Sequence, residues 1–172
     1  MHPLALDRRA LMRSAVLLVG GTLAGVPDLA FAQGKPAFFT PAERATLDAA
    51  CEAMIPKTDT PGALEAGVPG FIDAMMSNWA NSITQAQFRS VVTELGPHMA
   101  NASPAEQATR LAAFDTAKLK TWDKSYMRFK ELVLTGYYLS EAGATQELRY
   151  ELSPGVWEPA TPVTADTRAW AV

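Results

Sequence analysis

The chain has one cysteine, Cys51, and two histidines, His2 and His98, in 172 residues. A single cysteine cannot close an internal disulfide, carry an iron–sulfur cluster or form the Cys-x-x-Cys-His attachment of a c-type haem. With so few histidines there is no His-Glu-x-x-His and no Cys/His cluster for zinc. A Ser-His-Asp triad would have to use His98, and no Gly-x-Ser-x-Gly elbow accompanies it. Neither Gly-x-Gly-x-x-Gly nor Gly-x-x-x-x-Gly-Lys occurs, so the sequence carries no phosphate-cradling loop for a nucleotide or flavin. Charge of one sign is lacking too. Fifteen Lys and Arg stand against eighteen Asp and Glu, without the basic stripe that a phosphate backbone requires, which gives nucleic acid no footing as a partner.

What the chain does have is a 48% apolar share with 19% charged residues, the balance of a folded globular protein with room for one domain. It opens with Asp7-Arg8-Arg9-Ala10-Leu11-Met12-Arg13, followed by a mild apolar run from Ser14 to Val26 diluted by glycine and alanine. Ala30-Phe31-Ala32 offers the small residues of a signal-peptidase site, with the cut before Gln33. Residues 1–32 resemble a twin-arginine signal, carried by Arg8, Arg9, Ala30 and Ala32; Asp7 stands where Ser or Thr is commoner. The alternative is a retained anchor, but the run falls short of the roughly 20 residues that span a bilayer. Cleavage would remove three basic and two acidic side chains, leaving twelve against sixteen. The expected destination is the periplasm. That export route carries folded proteins, so a chain using it either folds around a cofactor or travels with a partner that does.

Residues 33–172 read as an all-α domain, a small helical bundle with an irregular aromatic-containing C-terminal tail. Thr40-Pro41-Ala42-Glu43 is a capping box whose helix runs to Ile55, where Pro56 stops it. Turns follow at Thr58–Gly62 and Gly67–Gly70. Helical spacing predicts a second helix through Phe71–Trp79 and a third from Thr84. A fourth opens at the second capping box, Ser103-Pro104-Ala105-Glu106, and a long fifth covers Ser125–Ser140. No period-two alternation persists long enough for a sheet. Beyond Gly143, turn formers mix with Tyr150 and Trp157, aromatics that are costly to leave in water. They either fold back on the bundle or cover another protein.

Candidate chemistry is thin. Cys51 sits on an apolar helical face with Leu47 and Met54 and reads as a core thiol. His98 reads as a surface residue near a helix end. Glu141 and Glu147 are separable acids rather than a catalytic pair. Lys118, Lys120, Lys124, Arg128 and Lys130 surround Trp122 and Tyr126, but Asp115, Asp123 and Glu131 among them favour a salt-bridged face over an anion site. An independent periplasmic enzyme or sugar-binding module would need a pocket around Trp122, Tyr126 and His98.

Two blocks carry a family likeness. One runs from Leu134 through Gly136-Tyr137-Tyr138, Ser140-Glu141-Ala142-Gly143 and Gln146-Glu147 to Tyr150, then Pro154-Gly155-Val156-Trp157. The other is Met54-Ile55-Pro56-Lys57-Thr58-Asp59-Thr60-Pro61-Gly62-Ala63, continuing to Ala66-Gly67-Val68-Pro69. The chain resembles the gluconate 2-dehydrogenase subunit 3 family, the small subunit of periplasmic flavin-dependent sugar and sugar-acid dehydrogenases. The resemblance implies a heteromer. Its large subunit is a glucose–methanol–choline (GMC) type flavoprotein holding FAD, and a further c-type cytochrome subunit accepts the electrons, the whole lying at the inner-membrane surface. The small subunit carries no cofactor and no catalytic residue, and it accompanies the flavoprotein through the twin-arginine machinery. The expected partner contacts are Tyr137, Tyr138, Glu141, Gln146, Tyr150 and Trp157.

Overall fold

The computed structural model describes residues 36–151 and, in the tail, 155, 160, 162–165 and 167–170. Arg8, Arg9, Ala30 and Ala32, expected to belong to a signal, lie outside the described residues together with Trp157. Among the described residues six α-helices follow one another: α1 (Pro41–Met54), α2 (Val68–Asn78), α3 (Ser82–Leu95), α4 (Pro97–Ala100), α5 (Pro104–Lys120) and α6 (Lys124–Tyr138). A single π-helical turn, Gly143–Glu147, closes the series. The described residues form no strand, only one parallel bridge between Arg149 and Trp170. None of their helices is long and apolar enough to cross a membrane.

The helix starts are chemically explicit. Thr40 and Glu43 form the reciprocal capping box, with Pro41 in the first turn. At α5 the Glu106 carboxylate accepts from both the backbone N–H and the hydroxyl of Ser103. Asn81 caps α3 through its side-chain oxygen, which accepts from Thr84 N–H at 2.9 Å. That cap starts the helix at Ser82, two residues before the sequence signal at Thr84. Gly67, at φ 73°, turns the chain into α2. Gly96, at φ 72°, separates α3 from the short α4 that carries His98. Both conformations suit glycine because a Cβ is disfavoured there.

Apolar residues at helical spacing converge on one core: Leu47 and Cys51 of α1, Ile72 and Met76 of α2, Phe88, Val91 and Val92 of α3, and Tyr126, Phe129, Val133 and Tyr137 of α6. α6 contributes a large buried residue at nearly every turn, and Phe129 alone represents about 2–3 kcal/mol of burial. α5 buries only Leu111 and lies at the periphery. Ahead of α1, the Asp73 carboxylate of α2 accepts the N–H groups of Phe38 and Phe39 at 3.3 and 2.9 Å, tying the entering chain to the bundle. Cys51 is fully buried, and burial pushes its thiol well above the ordinary range, as suits an unreactive core thiol.

Candidate partner interface

The segment between α1 and α2, residues 55–67, has little regular structure yet is held from beneath. Glu52, in the last turn of α1, receives Lys57 N–H at 3.1 Å and Leu64 N–H at 3.0 Å on its two carboxylate oxygens. Gly62 is buried between them, and a Cβ on it would lie 2.6 Å from both Glu52 Oε1 and Lys57 N. Only a residue without a side chain fits there. Two longer-range bonds reach the loop from the C-terminal block. Tyr137 donates its hydroxyl to the Pro61 carbonyl at 2.8 Å, and Thr60 donates to Glu147 Oε2 at 2.7 Å. Burial raises the Tyr137 hydroxyl above its usual range, keeping it the protonated donor this bond needs.

The end of α6 is equally constrained. Gly136 faces the Phe71 ring of α2, which a Cβ would meet at 2.9 Å. The Ser140 hydroxyl donates to Tyr137 O at 2.6 Å and accepts from Gly143 N–H at 3.0 Å. A Cβ on Gly143 would sit 2.1 Å from the Tyr137 carbonyl oxygen. The π turn that follows aims Glu147 at the loop.

The expected contact residues therefore divide. Tyr137 is fully buried and belongs to the core rather than to a partner surface, because its ring fills the bundle and its hydroxyl is used on Pro61. Its neighbour Tyr138 is 41% exposed, with its ring packed edge-on against Tyr137. Tyr150 is 57% exposed. Glu141 and Gln146 are also exposed. Sequence reading missed Leu139, 69% exposed beside them, although its place between Tyr138 and Ser140 in the motif marked it. The loop, the second block of the likeness, adds exposed surface of its own: Leu64 stands partly exposed, and Lys57 pairs with Glu65 across the loop surface. No local pattern announces a latch formed over 76 or 87 residues of chain.

Part of the tail returns to this end of the molecule. Arg149 N–H donates to Ala169 O at 2.7 Å, the Arg149 guanidinium lies 4.2 Å from the Trp170 ring centre, and Arg168 donates to Gln146 O at 2.6 Å.

The pocket required of an independent module does not form from the residues named for it. Trp122 is largely exposed, His98 is exposed, and Tyr126 is buried with its hydroxyl on Asp115 at 2.9 Å. A separate groove of about 600 Å³ lies between α2, α3 and α6, with Met75, Trp79, Phe88 and Leu132 among its walls. The basic cluster is salt-bridged in part: Lys118 pairs with Glu94 and Asp123, and Lys130 with Asp115. No group of three or more His, Cys, Asp or Glu is gathered for a metal among the described residues.

Neither a curated protein nor a solved structure matches the chain. One family model does, that of gluconate 2-dehydrogenase subunit 3, over residues 41–155. The match runs from the first residue of α1, through the latched loop and the π turn, to Gly155. On that span, well over half its length, the chain belongs to the gluconate 2-dehydrogenase subunit 3 family.

Proposed function

We propose that this protein is the non-catalytic small subunit of a periplasmic FAD-dependent dehydrogenase complex that oxidises a sugar or sugar acid. It binds the GMC-type flavoprotein subunit, travels with it through the twin-arginine pathway and stabilises it. A c-type cytochrome subunit takes the electrons. FAD and haem belong to those partners in this reading, and this chain supplies a binding surface.

The observation that supports the reading most is the meeting of residues 57–65 with residues 137–150. Two blocks of the motif, distant in sequence, are joined by Tyr137 on Pro61 and Thr60 on Glu147, while Glu52 and Gly143 hold each block within itself. They turn Leu64, Tyr138, Leu139, Glu141, Gln146 and Tyr150 outward on segments that are rigidly placed. Rigid, partly exposed aromatic and apolar residues are the usual anchors of a protein interface, since little conformational freedom is lost on binding. Trp157 is kept as a further anchor.

The test is affinity capture of the tagged chain from its native periplasm, with an absorption spectrum of the eluate. A larger co-purifying chain with flavin bands is the expected result, and a colourless single species would overturn the reading. Within a captured complex, Tyr150→Ala or Trp157→Ala is expected to cost about 2 kcal/mol of binding if either is a central anchor. Wild-type affinity would remove that residue from the interface.

A further inference from the structure

The corner joining α5 to α6 holds the one backbone conformation among the described non-glycine residues that lies in the left-handed region. Trp122 has φ 52° and is 75% exposed. The corner closes α5 in a Schellman arrangement: Asp123 N–H donates to Lys118 O at 3.0 Å and Trp122 N–H to Leu119 O at 3.1 Å. This motif puts Trp122 at the position where glycine is usual, because a side chain there is strained against its own backbone. A large apolar ring at such a position, left in water, gives the isolated bundle nothing. An unfavourable conformation of this kind points to a function.

The charges around it define what the ring meets. Leu119 is partly exposed one turn earlier. Lys120 and Lys124 flank Trp122 at two residues on either side, both are exposed, and neither makes an ion pair among the described residues. The adjacent acids are already engaged. Asp123 caps α6 by accepting from Ser125 and Tyr126 N–H, and it also accepts from Lys118 Nζ, which donates to Glu94 as well. The corner is thus a convex apolar knob between two free cations on an otherwise acidic protein.

We infer that this corner docks on an anionic phospholipid surface, with Trp122 and Leu119 at headgroup level and Lys120 and Lys124 on lipid phosphates. Tryptophan and lysine are the side chains best suited to that boundary, one amphipathic and the other able to keep its charge in water while its stem lies along apolar surface. The chain's net charge is negative, so an attraction to such a surface has to come from a local group of cations like this one. Each free lysine contributes roughly fivefold in partition at low salt.

The test is co-sedimentation of the full-length chain with vesicles of phosphatidylglycerol and phosphatidylethanolamine, against phosphatidylcholine alone. Wild type is compared with Trp122→Gly and with Lys120→Glu/Lys124→Glu, so any contribution of the N-terminal segment is common to all. Binding that needs phosphatidylglycerol, weakens with salt, and falls about fivefold or more in Trp122→Gly and about 25-fold or more in Lys120→Glu/Lys124→Glu at low salt is expected. Trp122→Gly must also melt at the wild-type temperature or above it, because glycine relieves the strained turn. Equal sedimentation of wild type and variants would overturn the inference, as would a lowered melting temperature for Trp122→Gly. Loss of flavoprotein capture in Trp122→Gly without any vesicle binding would assign the corner to a protein contact and overturn it likewise. The inference does not rest on the subunit reading, since vesicle binding is expected whether or not a flavoprotein is captured.

Discussion

Two connections in this bundle solve the same problem in opposite ways. The loop from Ile55 to Gly67 is long, and remote groups hold it: Glu52 from below, Tyr137 and Glu147 from the far end of the chain. The corner at Thr121–Asp123 is short and sets itself, through one cap, one ion pair and two backbone bonds to α5. Constraint in the first case is spread over many residues and vanishes if a distant one is lost. In the second it is local, and the strain is concentrated in Trp122.

The sharpest way to break the first arrangement is Gly143→Ala. The new Cβ would overlap the Tyr137 carbonyl, and forcing the backbone apart is expected to cost about 3 kcal/mol or more, read as a lowered urea midpoint. Tyr137→Phe removes only the hydroxyl on Pro61 and should cost about 1–2 kcal/mol, with amide exchange accelerated across residues 57–65 rather than in α3. At the corner the sign reverses. Trp122→Gly is expected to leave stability unchanged or raise it by about 0.5–1 kcal/mol in thermal melts.

Acid should reach the corner too. Hydrogen bonds from Lys118, then from Tyr126 N–H, hold the Asp123 carboxyl below its usual range. Its contribution is therefore whole above the unfolded carboxylate value of about 4 and is lost as pH falls through the lower folded-state value. Asp123→Asn should flatten that part of the acid denaturation curve. Smallest of all, Glu147→Gln keeps an acceptor for Thr60 and should cost about 0.5 kcal/mol or less. A loss as large as that of Gly143→Ala would mean that the loop is held mainly by Glu147.

The same contrast explains what was legible in the sequence. Capping boxes at Thr40 and Ser103, helical spacing through α6 and the lone apolar Cys51 are local signals, and each leads to the observed element within a residue or two. The short α4 and the π turn are set by Gly96, Gly143 and their surroundings, where no periodicity accumulates. The exposure pattern of the contact residues was only partly readable. Tyr137 and Tyr138 look alike in sequence, and which of the two faces inward depends on where α6 meets Pro61. The loop's role emerges only when two segments some eighty residues apart are brought together.

The solitary thiol makes this protein its own clock. Cys51 is the only cysteine in the chain and has no exposed surface, so a thiol reagent can label it only when the core opens. The labelling rate in native buffer measures the frequency or the population of opening, depending on whether reclosing is slow or fast relative to the reagent. No engineered probe is needed. A ligand or partner that binds only the closed bundle must slow that rate by a factor of one plus its free concentration divided by its Kd, which turns one buried sulfur into a meter for assembly.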